Sequence, residues 1–396
     1  MGLLQAAAHE RAAMPLATFE AAQIRWALET GLGPLLWHTT HAAPGTAASP
    51  LWPLVRGTDR AARLLTAEQF DAMGEILGAC CGRMPPLTLL KGISISEQYY
   101  PVSHLRPMRD LDVLVDEAAL PAMEAVLSAL GYQQQSHLPS TFYATHHHSM
   151  PFVHPTRGLW VEVHRGLFPP SSRLGADRLF GREALEQHRH PSIFQGYEVF
   201  RLSPEWQLLY IASHWAFAFH AIGGLIALLD VVYLLQRTVG ALDWEHLLAA
   251  LEGSGATPPL YLLLTYLDTS HLVELAPDVL QGIGARQRVL SPATLTLMHW
   301  LIDRYFVAGQ PAAPVLSTHR LDVLWQTLLG PRSAGGNLLR VPWHWLMASH
   351  VGTGGAQTTA AAADMHHEAP LYIIPSIEVR RKGWHARERQ MCHDGP

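Results

Sequence analysis

The stretch RPMRDLDVLV, residues 106–115, is the most informative segment of the chain. Its second half alternates acidic and apolar residues, and successive side chains of a β-strand point to opposite faces. Asp110 and Asp112 therefore share one face of a strand predicted over 110–115. Leu111, Val113 and Val115 face a core. Two carboxylates on one face are typical of a Mg²⁺ site, which takes a few carboxylates together with water and substrate phosphates.

A second predicted strand, 158–163, supplies a third carboxylate within the sequence WVEVH. Glu162 and His164 fall on one face of it, opposite the valines. If the two strands are neighbours, Glu162 reaches the site of Asp110 and Asp112. Three carboxylates on adjacent strands suit a two-metal centre for phosphoryl transfer, in which one carboxylate takes the proton of the attacking hydroxyl.

A phosphate-binding element is predicted where a short strand, 87–91, runs into Gly92. Glycine allows the backbone to approach a phosphate closely, and the amides and the Ser94 hydroxyl at the start of the next helix can bind it. Arg106 and Arg109, just before the acidic strand, are candidates for contacts with phosphate oxygens.

Lysine is scarce in this chain, since only Lys91 and Lys382 occur among 28 basic residues. Scarcity of lysine is typical of a GC-rich bacterial genome. Lys91 nevertheless lies inside the predicted phosphate element, where its point charge would pair with a phosphate. Chance retention and an ion pair with a site carboxylate are the alternatives.

These motifs resemble the uncharacterised nucleotidyltransferase family of bacteria, within the DNA polymerase beta-like nucleotidyltransferase superfamily. The resemblance covers residues 85–250 and rests on the following segments: LLKG (89–92), YP (100–101), RPMRDLDVLV (106–115), LGY (130–132), VEVH (161–164), His214, LD (229–230) and LDW (242–244).

The resemblance implies roles for individual residues. Gly92 and Ser94 match the phosphate element, although one residue separates them here, while Asp110 and Asp112 match the metal ligands and Glu162 the third carboxylate. It also implies a Mg²⁺-dependent enzyme, able to use Mn²⁺, with an NTP as co-substrate. Such an enzyme transfers a nucleoside monophosphate to a hydroxyl or phosphate of a small molecule, peptide or protein and releases pyrophosphate.

Two other functions compete with this hypothesis. A non-catalytic nucleotide-binding or scaffold protein would keep the fold, but the complete set of carboxylates disfavours it. Modification of nucleic-acid ends is disfavoured by the net charge of −5 and by the lack of a basic stripe before residues 380–389.

Histidines and one further aspartate are candidates for a substrate pocket. His164 shares the face of Glu162, while His214 and Asp230 lie in the apolar helical half and would line the cleft. His214 is equally interpretable as a satisfied core histidine. The run His146–His148 allows zinc, which imidazole suits, or a pocket role, although no HExxH spacing is present.

The predicted fold class is α+β, with a small nucleotidyltransferase-like mixed sheet flanked by helices. We expect an N-terminal helical segment (1–84), an α/β core (85–200), a larger helical domain (201–330) and a partly irregular extension (331–396). Among the single elements, a capping box predicts a helix over 66–81, alternation predicts a strand over 141–153, and cap residues predict helices beginning after Ser203, Asp243 and Ser291.

Composition limits the class of protein. Of 396 residues, 48% are hydrophobic and 15% charged, which excludes disorder over most of the chain. The longest apolar stretch, 221–229, is nine residues, whereas a membrane span needs about 20. The start of the chain lacks the pattern of a signal peptide, and three cysteines without a CxxC favour a reducing cytoplasm.

Overall fold

A computed structural model of the protein describes residues 1–9, 14–136, 139–170, 172–217 and 225–307. These residues form a mixed α+β structure, as predicted, with a seven-stranded sheet and helices before and after it. The predicted 331–396 extension, with Lys382, lies outside the described residues, as does the end of the predicted helical domain.

The described residues form fourteen α-helices and seven strands. The helices are α1 (Gly2–Ala8), α2 (Ala21–Glu29), α3 (Gly33–Thr40), α4 (Trp52–Cys80), α5 (Lys91–Gln98), α6 (Leu120–Ala129), α7 (Ser140–Tyr143), α8 (Arg182–His188), α9 (Pro204–Phe217), α10 (Leu225–Arg237), α11 (Trp244–Ala250), α12 (Thr257–Thr269), α13 (Pro277–Arg286) and α14 (Pro292–Ile302). The strands are β1 (Thr88–Leu89), β2 (Asp110–Leu114), β3 (Gln133–Gln134), β4 (Phe152–Val153), β5 (Trp160–His164), β6 (Arg189–Phe194) and β7 (Tyr197–Leu202). None of these helices is both long and apolar enough to span a membrane.

The strand order in the sheet is β3-β4-β5-β2-β1-β7-β6. Strands β2 and β5 are neighbours, as the sequence hypothesis required. They run parallel, and Asp112 lies directly opposite Glu162. On the other side of β2 lies β1, which is antiparallel to it. The acidic strand is therefore central, and its polar side chains meet those of β5 on one face.

The two faces of the sheet are covered differently. On one face, Leu111 and Val113 of β2 and Val161 of β5 are fully buried in a cluster with residues of α4 and α6. The opposite face carries the acidic residues of β2 and β5. A second, larger cluster contains residues of α1–α3, α5 and α9–α14, so the helices from both ends of the chain share one core.

Three predicted helix starts are confirmed. Helix α9 begins at Pro204, directly after Ser203. The Asp243 carboxylate accepts a hydrogen bond from the His246 amide at the start of α11, and the Ser291 hydroxyl accepts one from the Thr294 amide at the start of α14. Such caps satisfy amides that have no partner within the helix.

The extents of one predicted helix and of the strand predicted over 141–153 are wrong. Helix α4 begins at Trp52 rather than at Thr66, because the good helix formers of 60–65, RAARLL, continue the helix through the apparent capping box. The predicted 141–153 strand is reduced to β4. Arg165 is the reason, because its side chain takes the carbonyl oxygens of Tyr143, Ala144 and His146, which a strand would need for its ladder.

Sequence analysis also missed the β6–β7 hairpin at the sheet edge. Its turn residues, Gln195 and Gly196, have φ angles of +48° and +86°. Positive φ at both positions is what tight two-residue hairpin turns require. The strand predicted over 87–91 is likewise only Thr88–Leu89, because helix α5 already begins at Lys91.

Candidate active site

The register between β2 and β5 brings two carboxylates together at the centre of the sheet. Asp112 and Glu162 are partners across the parallel pair, and Asp112 is 1% exposed. Asp110 lies two residues earlier on the same face of β2, opposite Trp160. The three predicted carboxylates are therefore assembled on two adjacent strands.

Lys91 lies between the two facing carboxylates. Its Nζ is 2.7 Å from Oδ1 of Asp112 and 3.7 Å from Oε2 of Glu162. The first residue of α5 thus forms the ion pair that was one of the alternatives for this lysine. Its backbone φ angle is +44°, a value that residues other than glycine seldom adopt. Strained backbone of this kind persists where the surrounding structure enforces it.

His164 completes the contacts of Asp112. Its Nε2 lies 2.8 Å from Oδ1 of Asp112 and 3.5 Å from Oε2 of Glu162, and the ring is fully buried. One carboxylate oxygen of Asp112 therefore contacts both an ammonium and an imidazole. Burial makes these charge-assisted contacts strong, but it also makes the loss of either partner costly.

The charges of this cluster shift one another's pKa values in opposite directions. Burial acts against every charged form, but the Lys91 ammonium and His164 hold the pKa of Asp112 below its usual range, and that of Glu162 well below. The same contacts outweigh burial at Lys91, whose pKa lies well above its ordinary value. By contrast, burial together with the charges of Asp112 and Glu162 raises the pKa of Asp110.

The set of ligand atoms fits a divalent cation. One ligand atom each from Asp112, Glu162 and His164 lies within 4.8 Å of the others. Carboxylate oxygens are the ligands that Mg²⁺ prefers, and Asp110 extends the set along the same face. Lys91 places its ammonium at this position, on a side-chain stem that is flexible.

Arg106 and Asp230, predicted in separate roles, contact each other. Nε and Nη2 of Arg106 donate to the two oxygens of Asp230 at 3.1 and 2.9 Å, and the Tyr100 hydroxyl donates to Oδ1 at 2.7 Å. This buried pair connects α10 to the segment before β2. Asp230 therefore positions Arg106, while Nη1 of the guanidinium donates instead to the Pro107 carbonyl.

Gly92 packs closely against the side chains of Arg106 and Met108. A Cβ on Gly92 would lie 2.4 Å from Nη1 of Arg106 and 2.7 Å from Cγ of Met108. Both are far closer than van der Waals contact. The structure therefore gives Gly92 a packing reason in addition to the predicted approach to a phosphate.

Ser94 and Arg109 differ in their burial. Ser94 is buried in the first turn of α5, where its hydroxyl accepts a hydrogen bond from Gln98. It lines a small cavity together with Lys91 and Tyr210. Arg109 is exposed at the start of β2. Lys91, also in the predicted phosphate element, contacts the carboxylate cluster directly.

Helix α9 lies beside Lys91 and brings residues near the carboxylates that the motifs alone do not reveal. Tyr210 and His214 are one helical turn apart and share a face, with ring centroids 5.5 Å apart. The charges of Lys91, Asp112 and Glu162 act on both rings. Burial lowers the pKa of His214 well below its ordinary value, so its imidazole is neutral. His214 therefore borders the site, and Tyr210 is the residue that sequence analysis missed.

A sequence model of a family described as uncharacterised nucleotidyltransferase matches residues 20–269, more than half of the chain. The chain belongs to this family. Membership in the uncharacterised nucleotidyltransferase family supports nucleotidyl transfer as the general activity and an NTP as a substrate. The match begins in the N-terminal helical segment and ends in α12, so it extends beyond residues 85–250 on both sides. Neither a curated protein nor a solved structure gives a significant match.

Proposed function

We propose that this nucleotidyltransferase transfers a nucleoside monophosphate from an NTP to a hydroxyl or phosphate of a small molecule, peptide or protein. The reaction depends on Mg²⁺ and releases pyrophosphate. The observation that supports this most directly is the Asp112–Glu162 pair on parallel strands, with the Lys91 ammonium 2.7 and 3.7 Å from its oxygens. A position that already holds one cation between two carboxylates suits cation-assisted phosphoryl transfer.

In the proposed reaction, the acceptor oxygen forms a bond to the α-phosphorus, and the bond from that phosphorus to the bridging oxygen of pyrophosphate breaks. A hydroxyl acceptor gives its proton to a carboxylate of the site. Glu162 can take this role or help to hold a metal. Asp110 and Asp112 would hold Mg²⁺, or Mn²⁺ in its place, together with Glu162. When bound, the metal would offset the negative charge of the phosphates.

The basic residues would bind the phosphates. Lys91, once displaced from Asp112, becomes available to the β- and γ-phosphates beside Gly92 and Ser94. Arg109 is exposed at the start of β2 and adds a second positive charge. Arg106 would contribute only through Nη1, because Asp230 holds its other two nitrogens.

The test measures NTP binding and pyrophosphate release with Mg²⁺ for the wild type and for the double variant Asp110→Ala/Asp112→Ala. The matched control is Asp116→Ala, just beyond the end of β2, which contacts Arg182 on the surface. We expect the double variant to lose both metal-dependent binding and turnover, and the control to retain them. Unchanged binding in the double variant would contradict the proposal. Binding without turnover across a panel of acceptors would instead favour the non-catalytic nucleotide-binding protein.

A further inference from the structure

Beside the carboxylate cluster, three consecutive histidines turn their rings towards one another. The ring centroid of His146 lies 4.2 Å from that of His147 and 4.3 Å from that of His148. The centroids of His147 and His148 are 4.8 Å apart. One nitrogen from each ring lies within 4.8 Å of the others. Consecutive residues of a regular strand would point to alternate faces, so this convergence depends on the irregular backbone of the segment.

The hydrogen bonding of two of the rings leaves a nitrogen available to a metal. Nδ1 of His148 lies 2.7 Å from the carbonyl oxygen of Ser149. Because a carbonyl only accepts, Nδ1 carries the proton and Nε2 is left with its lone pair. Metal-binding histidines commonly have this arrangement, in which the second nitrogen donates to a carbonyl or carboxylate. Nδ1 of His147 is buried and has no hydrogen-bond partner among the described residues, an arrangement that a ligand would relieve.

We propose that His146, His147 and His148 form a transition-metal site of the Zn²⁺ class, separate from the carboxylate site. Three imidazoles suit Zn²⁺ and its neighbours in the first transition row, whereas Mg²⁺ selects oxygen ligands. With zinc–nitrogen bonds of about 2.0–2.1 Å, the nitrogens of a tetrahedral site lie about 3.3 Å apart. Modest ring rotations therefore close the site from the spacing seen here.

The metal would hold this segment against the strand that carries Glu162 and His164. The Ser149 amide already donates to the carbonyl of Val163, and the Arg165 amide donates to that of His147, both at 2.9 Å. The rings of His147 and His148 each lie 5.4 Å from the ring of His164. A metal on the three histidines would thus fix one wall of the carboxylate site and act through position rather than in the chemistry.

The first experiment uses the tag-free full-length chain, freed of metal with a chelator and titrated with Zn²⁺ against a zinc-sensitive dye. We expect one tight site per chain. X-ray absorption at the zinc edge then identifies the ligands of the wild type, with no need for a variant. At least three imidazole nitrogens support the proposal, because the Asp112, Glu162 and His164 group offers only one. A signal from oxygen ligands with one imidazole, or no tight site, overturns it.

Variants locate the site. His147→Ala and His148→Ala should each weaken zinc binding by at least about tenfold. The control is His190→Ala, which removes an exposed histidine from β6 and should leave zinc affinity within about twofold. Circular dichroism in chelator verifies that each variant folds. Equal zinc affinity in wild type and folded His147→Ala/His148→Ala protein would contradict the proposal.

The double variant Asp112→Asn/Glu162→Gln separates this site from the proposed transferase activity. It should lose turnover but retain tight zinc binding, because it leaves the three histidines in place. Loss of zinc binding in that folded variant would show that zinc occupies the carboxylate site instead. If the wild type binds zinc through the histidines but shows no transferase activity, only the proposed function is contradicted.

Discussion

Two buried aspartates, Asp112 and Asp230, each have a basic partner, and their surroundings differ. Asp112 is 1% exposed and Asp230 3% exposed. Asp230 receives two hydrogen bonds from one guanidinium and a third from the Tyr100 hydroxyl. Asp112 uses a single oxygen for both Lys91 and His164.

The Asp230–Arg106 pair is suited to holding two elements together, whereas the Asp112–Lys91 pair is suited to an exchange of partners. A bidentate guanidinium is rigid and matches the two carboxylate oxygens, whereas an ammonium is a point charge on a flexible stem. Asp230 therefore connects α10 to the segment before β2 and has little capacity for another ligand. Asp112 keeps an oxygen outside its two contacts with Lys91 and His164, and in the proposed function a metal would replace its lysine partner. Similar burial thus accompanies a fixed bidentate pair in one region and a single flexible ammonium partner in the other.

The largest expected effect belongs to Asp112→Asn, which should lower kcat/KM for pyrophosphate release by about a thousandfold. A loss of this size follows if the residue holds a metal worth several kcal/mol of transition-state stabilisation. Asp116→Asn is the matched control and should stay within about twofold. If folded Asp112→Asn protein keeps a tenth or more of the wild-type activity, the proposed difference in role between Asp112 and Asp230 is wrong.

The next effect is on stability, where Asp230→Asn should lower the free energy of unfolding by about 3 kcal/mol. Removal of one partner from a buried pair leaves the other charge uncompensated, here on Arg106. Urea unfolding measures the change. As a control, Glu75→Gln removes the exposed partner of Arg157 and should cost about 1 kcal/mol or less. An equal loss of unfolding free energy in the two variants would contradict the role of Asp230 in holding α10 to the segment before β2.

Tyr100→Phe isolates the third hydrogen bond to Asp230. Burial raises the pKa of Tyr100 well above its ordinary value, so the hydroxyl remains a donor at any working pH. Loss of a hydrogen bond to a charged group should cost about 1.5–3 kcal/mol of unfolding free energy, less than Asp230→Asn. A double-mutant cycle of the two substitutions measures their coupling. Strictly additive costs would contradict a shared network.

The smallest effect comes from two glycines of opposite expected sign. Gly92→Ala places a methyl group against Arg106 and Met108 and should destabilise by about 1–3 kcal/mol. Gly57 lies within α4, where an added Cβ would meet no described atom within 4 Å, so Gly57→Ala should stabilise by about 0.5–1 kcal/mol. Thermal unfolding of both variants sharpens the comparison, since stabilisation by Gly92→Ala would mean that Arg106 is not held in place.

Local patterns predicted the acidic strand well. The alternation of 110–115 gives β2 within one residue, because a strand buried on one face must place its side chains with a period of two. Cap residues likewise predicted the starts of α9, α11 and α14. The resemblance carried by the same motifs predicted the family, which the match over residues 20–269 confirms. The catalytic, metal and nucleotide roles of the individual residues remain predictions.

Other features depend on partners that are distant in sequence. Arg165 converts a predicted strand into irregular backbone by taking three carbonyl oxygens, and its effect depends on where β5 places it. Asp230 meets Arg106 across 124 residues, and no local pattern encodes that contact. Tyr210 lines a cavity with Lys91 only because the fold brings α9 beside α5.

Residue types and their spacing thus specify which side chains share a face, since that depends on backbone geometry within a few residues. The sequence alone was sufficient to predict that Asp110, Asp112 and Glu162 are the acidic set. Which cation neutralises them depends on packing, because Lys91 meets Asp112 only when α5 and β2 are adjacent. The same holds for the three histidines, which converge in irregular backbone whose carbonyl oxygens bond to the side chain of the distant Arg165.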